Sequence, residues 1–202
     1  ITGNTVIDAM QHTVRRDYQH PELDWVGKDK MIFITAHRRE NLGQPMHNMF
    51  RAIRRVLEEH PDCKAIYPIH MNPIVRRAAE EELGKCERIH IIEPLDVFDC
   101  HNFESRCFMC LTDSGGIQEE VPAYGKPVLV MRDTTERPEG VIAGTLKLVG
   151  TDESTIYDNF KLLLENQEEY QKMANACNPY GDGNACKRIA DVLEFGECSQ
   201  WQ

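Results

Sequence analysis

Short apolar runs alternate along the chain with longer segments in which apolar residues recur every three or four positions. In segment 45–60, Met46, Met49 and Ile53 share one face of a helix, and Pro45 suits its first turn. The short runs predict six β-strands, at 31–36, 64–69, 88–92, 107–112, 127–131 and 145–149. Further helices are predicted around 3–10 and over 73–83, 96–105 and 115–124.

Alternating strands and helices are typical of parallel βαβ units, and strands that are apolar on both faces indicate a sheet covered on both sides. We therefore predict a doubly wound, Rossmann-like α/β fold, followed by a helical pattern from about Asp152. No apolar run approaches the about 20 residues of a membrane span, and the first ten residues lack the basic start and apolar stretch of a signal peptide.

Composition narrows the classes of ligand. The formal net charge of -10 argues against a protein that binds nucleic acid by neutralising many phosphates, but one basic pocket for a small anion remains compatible with it. The eight cysteines are scattered through predicted core elements, so we expect reduced thiols and a cytoplasmic protein. Cys107 and Cys110 should face opposite sides of a strand, which argues against a metal or redox pair.

Polar clusters follow five of the predicted strands. They read "HRREN", "HMNP", "EPLD", "DSGG" and "RDTTERPEG", at 37–41, 70–73, 93–96, 113–116 and 132–140. In an open parallel sheet, ligands bind outside the carboxyl ends of the strands. We therefore expect the clusters to converge at one edge of the sheet and to form the functional site there.

The turn formed by Ser114, Gly115 and Gly116 joins a predicted strand to a predicted helix. Backbone N–H groups at such a turn can face a bound anion, and glycine lets the anion approach closely, so phosphate or diphosphate is the expected ligand. A turn that only caps a helix is the alternative. Glu119 or Glu120 could accept hydrogen bonds from a ribose diol, although a solvated helix face gives the same pattern.

Two histidines occupy equivalent positions, since His37 follows the first predicted strand and His70 follows the second. A single histidine is more often structural than catalytic, but two at the expected ligand edge favour a functional role. The sequence around them has no metal-ligand spacing, so we expect no metal.

These clusters resemble a known family, the non-hydrolysing UDP-N-acetylglucosamine 2-epimerases, which have the two-domain GT-B architecture. The resemblance covers nearly the whole chain and is most specific from 112 to 140. The matching motifs are "TGNTVIDA", "HRREN", "YPIHMNP", "EPL", "TDSGGIQEE", "GKPVLVMRDTTERPEG", "AGTLKLVGTD" and "NPYGDGNACKRI".

The resemblance implies an isomerase that interconverts UDP-GlcNAc and UDP-ManNAc by eliminating UDP and adding it back. It implies no cofactor besides the UDP or UDP-sugar ligand. By motif, Ser114, Gly115 and Gly116 would hold the diphosphate, Glu120 the ribose hydroxyls, and Arg137 the phosphates or the sugar.

Three further positions take roles from the same resemblance. His37 would assist the departure of UDP, whose developing negative charge needs a proton or a positive group. Arg38 and His70 match positions that line a second pocket in bacterial members, where UDP-GlcNAc acts as an allosteric activator.

The resemblance also implies a domain division. Residues 1–18 would form an interdomain connector helix, 19–180 the C-terminal Rossmann-like UDP-binding domain of a GT-B fold, and 181–202 a helix that packs toward an N-terminal domain. That N-terminal domain carries the carboxylates that move the C2 proton in the family. We therefore expect this chain alone to bind UDP but not to epimerise, with the N-terminal domain and a second copy in a homodimer as partners.

Three alternatives remain open. The chain could belong to a GT-B glycosyltransferase, because phosphate and ribose sites look alike across that architecture. It could belong to a hydrolysing 2-epimerase, which releases UDP. It could also be a standalone module that binds UDP-sugars without chemistry.

Overall fold

The computed structural model describes residues 1–198, and its centre is an open sheet of six parallel strands. The strand order is β3-β2-β1-β4-β5-β6, so the direction of winding reverses between β1 and β4. Each predicted strand is present with its ends shifted by at most two residues. The strands are β1 (Lys30–Thr35), β2 (Cys63–Pro68), β3 (Ile89–Ile92), β4 (Met109–Thr112), β5 (Val128–Val130) and β6 (Leu146–Leu148).

Helices connect the strands and cover both faces of the sheet. They are α1 (Thr5–Thr13), α2 (Pro21–Val26), α3 (Gln44–Glu59), α4 (Pro73–Leu83), α5 (Val97–Arg106), α6 (Ile117–Glu120), α7 (Pro138–Ala143), α8 (Glu153–Glu165), α9 (Gln167–Ala174) and α10 (Ala185–Phe195). The pattern did not predict α2 and α7, because six residues are too few to show a helical period. Helix α6 is shorter than the predicted 115–124: Pro122 has no N–H to continue it, and the chain goes on as a 3₁₀ turn, Val121–Tyr124.

Strand β1 shows how the two faces are built. Ile32 and Ile34 pack into one buried cluster with α3, α4 and α8, whereas Met31 and Phe33 pack into the other, which includes Phe103 of α5. This alternation is the period of two expected for a strand, and it confirms that the sheet is covered on both faces. The doubly wound prediction is therefore confirmed.

The expectation for Cys107 and Cys110 was wrong. Cys107 lies before β4, at the end of α5, so both thiols are buried in the same cluster. Burial raises the pKa of Cys107 to about 12. All eight cysteines are free thiols.

Helix α10 lies against α1. The Asp8 carboxylate of α1 accepts hydrogen bonds from the backbone N–H groups of Ala185 (3.1 Å) and Cys186 (2.8 Å) at the start of α10. Four apolar side chains of α10 are exposed, those of Ile189, Val192, Leu193 and Phe195. Packing of this helix against an N-terminal domain stays a prediction. Positions 199–202, the end of the predicted segment 181–202, lie outside the described residues.

None of the helices in the described part of the chain is long and apolar enough to cross a membrane.

Candidate functional site

Asp113 organises the carboxyl ends of β1 and β4. Its carboxylate is fully buried and accepts hydrogen bonds from the backbone N–H groups of His37 (3.0 Å) and Arg38 (2.8 Å) and from Nδ2 of Asn41 (3.1 Å). Several N–H donors can hold a buried carboxylate in its charged form. Asp113 thus fastens the loop after β1 to the turn after β4, which brings His37 beside Ser114.

His37 and His70 lie together, as expected from their strands. Their rings stack with centroids 5.4 Å apart and an interplanar angle of 14°. The Nδ1 atom of His37 is 3.7 Å from Oδ1 of Asp113. Burial lowers the pKa of His37; the Asp113 charge opposes this effect, and His70 and Arg38 reinforce it. The free site therefore favours a neutral imidazole at His37.

The Ser114-Gly115-Gly116 turn differs in one respect from the expected anion cradle. The backbone N–H of Ser114 donates to Oγ1 of Thr112 (2.9 Å), so it does not face outward. The N–H groups of Gly115 and Gly116 have no acceptor among residues 1–198. Neither glycine has a positive φ, so the conformation of the turn does not itself require glycine.

Two guanidinium groups converge on Gly115. A Cβ atom at Gly115 would lie 3.4 Å from Nη2 of Arg38 and 4.0 Å from Nη2 of Arg137. Arg38 is oriented by a hydrogen bond from its Nε to the backbone oxygen of Asp113 (3.2 Å). Because α6 has only four residues, the positive charge beside the turn comes chiefly from these side chains rather than from a helix dipole.

Arg137 is held by residues from distant parts of the chain. Its Nε donates to Glu119, which also accepts from Nδ2 of Asn4. The Tyr180 hydroxyl donates to the Arg137 backbone oxygen (3.2 Å) and accepts from the N–H of Gly140 (2.9 Å). The motifs around Asn4 and Tyr180 thus support the loop that carries Arg137.

Arg132 and Glu136 form a second ionic group at this edge. The buried Arg132 guanidinium binds both carboxylate oxygens of Glu136, at 2.6 and 3.0 Å, and also contacts Glu40 at 2.9 Å. Hydrogen bonding to Arg132 lowers the pKa of Glu136 to about 2. Nη1 of Arg38 is 3.9 Å from Glu136, so this group links the loops after β1 and β5.

The two glutamates of α6 have different surroundings. Glu119 is committed to Arg137 and Asn4, which leaves Glu120 as the carboxylate available to a ligand. Oε1 of Glu120 would lie 3.4 Å from a Cβ on Gly116, and the half-buried side chain approaches Glu104 of α5. The absence of a metal and the ribose role of Glu120 both stay predictions.

Four of the sequence-predicted residues border two clefts. The first, which we call the rim cleft, has a volume of about 340 Å³; His37, His70 and Ser114 line it, together with apolar groups such as Leu95 and Ile117. Arg137 instead borders a larger cleft of about 960 Å³, lined also by residues 1–5 and 177–180. Gly115, with its two guanidinium groups, lies between Ser114 of the rim cleft and Arg137 of the larger cleft.

The local sequence pattern indicated no role for Asp113 and no specific partner for Glu119. Their contacts join segments more than 70 and 110 residues apart, to His37 and Asn4 respectively, so no local pattern reveals them. The position of Asp113 directly before the glycine turn was the available signal.

An open parallel sheet with a glycine turn and two guanidinium groups at its switch point is typical of α/β domains that bind phosphorylated ligands. Residues 1–194 match the model of the family described as UDP-N-acetylglucosamine 2-epimerase, and the chain belongs to that family. The resemblance predicted from the motifs is confirmed.

Individual relatives agree with this assignment. The UDP-N-acetylglucosamine 2-epimerase of Bacillus subtilis is 61% identical over 195 residues, which cover 96% of this chain and 51% of the relative. The S. aureus MnaA-UDP co-structure has a TM-score of 0.96 at 48% identity, covering 100% of this chain and 57% of that one. The C-terminal domain of a Francisella tularensis glycosyl transferase shares the fold alone, at 15% identity and a TM-score of 0.62, with 94% of this chain and 98% of that domain covered. The chain spans about half the length of the curated relatives it matches.

Proposed function

We propose that this chain is the UDP-holding half of an enzyme that interconverts UDP-GlcNAc and UDP-ManNAc. The observation that carries the proposal is the convergence of Arg38 and Arg137 on Gly115, beside His37, at the switch point of the sheet. Family membership supports the sugar nucleotide as the ligand.

In this proposal the diphosphate binds at Gly115 and Gly116, whose N–H groups are unused, with the Ser114 hydroxyl nearby. Arg137 supplies positive charge and, through its forked N–H donors, orientation for the phosphates. The apolar walls of the rim cleft suit the uracil ring, and Glu120 accepts hydrogen bonds from the ribose. Arg38 and His70 contact either the substrate or a second UDP-GlcNAc in an adjoining pocket.

His37 acts when UDP departs. The C1–O bond breaks toward the β-phosphate oxygen, which gains the electron pair, while C2 loses its proton to a base. The neutral imidazole favoured by burial becomes easier to protonate once a diphosphate lies beside it, because a nearby negative charge raises a histidine pKa. His37 then donates a proton or a hydrogen bond to the departing oxygen. UDP adds back to C1 with its original configuration while a proton is delivered to the opposite face of C2, which completes the inversion at C2.

No base for the C2 proton is assigned to this chain, so we propose that the 202-residue chain binds UDP without epimerising. The base would come from an N-terminal domain, against which the exposed apolar side chains of α10 would pack. Epimerisation by the purified chain alone would contradict this division of labour.

Calorimetric titration with UDP tests the ligand assignment. We expect the wild type to bind and Ser114→Trp to lose binding, because the indole fills the phosphate turn. Ser154→Trp, the same change at an exposed position of α8, should bind like the wild type. UDP binding by Ser114→Trp that equals wild-type binding would show that the nucleotide does not bind at this turn.

Product analysis of the chain joined to the N-terminal half found in its relatives tests the reaction. UDP-ManNAc formed from UDP-GlcNAc, without stoichiometric UDP, is the expected result. Accumulating UDP with free ManNAc would indicate the hydrolysing reaction, sugar transfer to an acceptor would indicate a glycosyltransferase, and binding without turnover would indicate a standalone module.

A further inference from the structure

Glu104 is a buried carboxylate that the proposed reaction does not use. It lies on α5 and is fully buried, and its Oε1 accepts a hydrogen bond from Sγ of Cys100 (3.1 Å). Its Oε2 accepts no hydrogen bond from any of the described residues. A charged, unpaired carboxylate in such a place is costly, because burial removes its hydration without replacing it.

The group facing Glu104 is a second carboxylate. Side-chain polar atoms of Glu104, Glu120 and His101 lie within 4.8 Å of one another. Within residues 1–198, neither glutamate forms an ion pair with a lysine or arginine. Two close carboxylates without a cation cannot both ionise at low cost, so they share a proton.

The surroundings favour Glu104 as the residue that carries this proton. Burial, followed by the charge of Glu120, raises the pKa of Glu104 well above its usual range. Burial also raises the pKa of Glu120, but a hydrogen bond from Glu104 acts in the opposite direction. Glu104 is therefore the donor and Glu120 the acceptor.

Other titratable groups packed around the pair supply no compensating positive charge. Burial lowers the pKa of His101, whose Nδ1 is 2.7 Å from Oγ1 of Thr13. Burial raises the pKa of each neighbouring thiol and phenol, and Glu119 adds negative charge beside Glu120. These neighbours are Cys100 of α5, Cys110 of β4 and Tyr124 of the 3₁₀ turn. The positive charges of Arg106 and Lys126 lower the pKa values of Tyr124 and Cys107, respectively, and not those of the glutamate pair.

We propose that Glu104 is a positioning residue for nucleotide binding: it shares one proton with Glu120 and so holds the Glu120 carboxylate toward the ribose. Cys100 binds one oxygen of Glu104 and leaves Oε2 to carry the proton. Cys100 also lines the rim cleft, so the contacts run from the cleft wall through Glu104 to Glu120. The inference rests on the proposed function, in which Glu120 binds the ribose.

The arrangement predicts a pH dependence with a definite sign. At low pH the pair holds its proton, and Glu120 is fixed by the hydrogen bond. As pH rises through the upper apparent pKa of the pair, the proton leaves and the two negative charges repel, so Glu120 is displaced and UDP binds more weakly. The same proton also stabilises the fold. This contribution is fully present at a pH below 4.5, the pKa of Glu104 in the unfolded chain, and is lost as pH rises through its pKa in the folded chain.

Glu104→Gln provides the sharpest test, because an amide keeps the shape of the protonated acid and donates to Glu120 at every pH. We expect Glu104→Gln to bind UDP within about threefold of the wild type at about pH 6. As pH rises from about 6 through the upper apparent pKa of the pair, the wild-type dissociation constant should rise about tenfold more than that of the variant. Titration of His37 and of UDP itself affects both proteins and cancels in this difference. Glu168→Gln, at an exposed position of α9, is the matched control and should follow the wild type.

Identical pH profiles for the wild type and Glu104→Gln would overturn the inference, as would a loss of more than about tenfold in affinity at about pH 6.

A second measurement does not depend on UDP. Carbon NMR of chain labelled at the glutamate carboxyl carbons should show one glutamate that titrates far above the others, and this signal should vanish in Glu104→Gln. If neither the wild type nor Glu104→Gln binds UDP but this signal is present, the proposed function is wrong and the shared proton is supported. If the signal is absent, Glu104 and Glu120 do not share a proton. Zn²⁺ that binds the wild type and not Glu104→Gln would also overturn it, because a cation would then occupy the space of the proton.

Discussion

The two sides of the glycine turn neutralise buried charge in different ways. On one side, the Asp113 carboxylate is held by N–H donors, and Glu119 is paired with the Arg137 guanidinium. On the other side, Glu104 and Glu120 face each other without a cation. The first side is built to hold its charges and attract an anion, whereas the second responds to the proton concentration. Adjacent residues, Glu119 and Glu120, thus belong to two different electrostatic environments.

Removing Asp113 should have the largest effect, because it disrupts the paired side at its centre. In Asp113→Ala, the donors from His37, Arg38 and Asn41 lose a charged acceptor in a buried site, which costs about 3 kcal/mol or more of the free energy of unfolding. Chemical denaturation measures this change. Asp158→Asn, at an exposed position of α8, should change the stability by less than about 0.5 kcal/mol. Equal stability of the two variants would show that Asp113 does not organise the loop.

Arg137 should come next, since in the proposed site it connects Glu119 with the ligand. We expect Arg137→Ala to weaken UDP binding by about 10- to 100-fold, which corresponds to the loss of a charge-assisted contact to phosphate. The salt dependence of binding should also decrease. Arg77→Ala, an exposed arginine on α4, should leave both unchanged. An unaltered salt dependence in Arg137→Ala would remove this side chain from the phosphate site.

His37 should gain a proton when UDP binds, which provides a further test of the paired side. Burial holds its pKa below the usual 6.5 in the free chain, and a bound diphosphate should raise it, so binding takes up protons at a pH between the two values. Titrations in buffers with different ionisation enthalpies measure this uptake. His37→Gln should take up fewer protons than the wild type at the same pH. The same uptake in both proteins would place the diphosphate away from His37.

Cys100→Ala should have the smallest effect. It removes the S–H bond to Glu104 but leaves the shared proton, so UDP affinity should fall only about threefold, which is the size of one weak hydrogen bond. A loss as large as that of Arg137→Ala would show that the thiol itself contacts the nucleotide.

Local patterns predicted the sheet well and the site partly. Buried strands leave long apolar runs, and the end of each run marked the ligand edge, which placed His37, His70 and Ser114 together as expected. Six-residue helices such as α2 leave no readable period. The glycine turn was recognisable, but its source of positive charge was not, because Arg38 and Arg137 reach Gly115 from loops that follow other strands.

The acidic side could not be read from the sequence. Helical periodicity places Glu104 on a face of α5, but only tertiary packing puts that face against Glu120. Whether Glu119 or Glu120 is available to a ligand likewise depends on Arg137 and Asn4, which bind Glu119 and lie far from it along the chain.

Backbone amide NMR during a UDP titration tests the central claim most directly, because it reports which N–H groups meet the phosphates. We predict the largest shifts at Gly115 and Gly116, with smaller changes at Ser114 and His37. Shifts confined to the larger cleft around Asn4 and Tyr180, with Gly115 and Gly116 unmoved, would contradict this prediction.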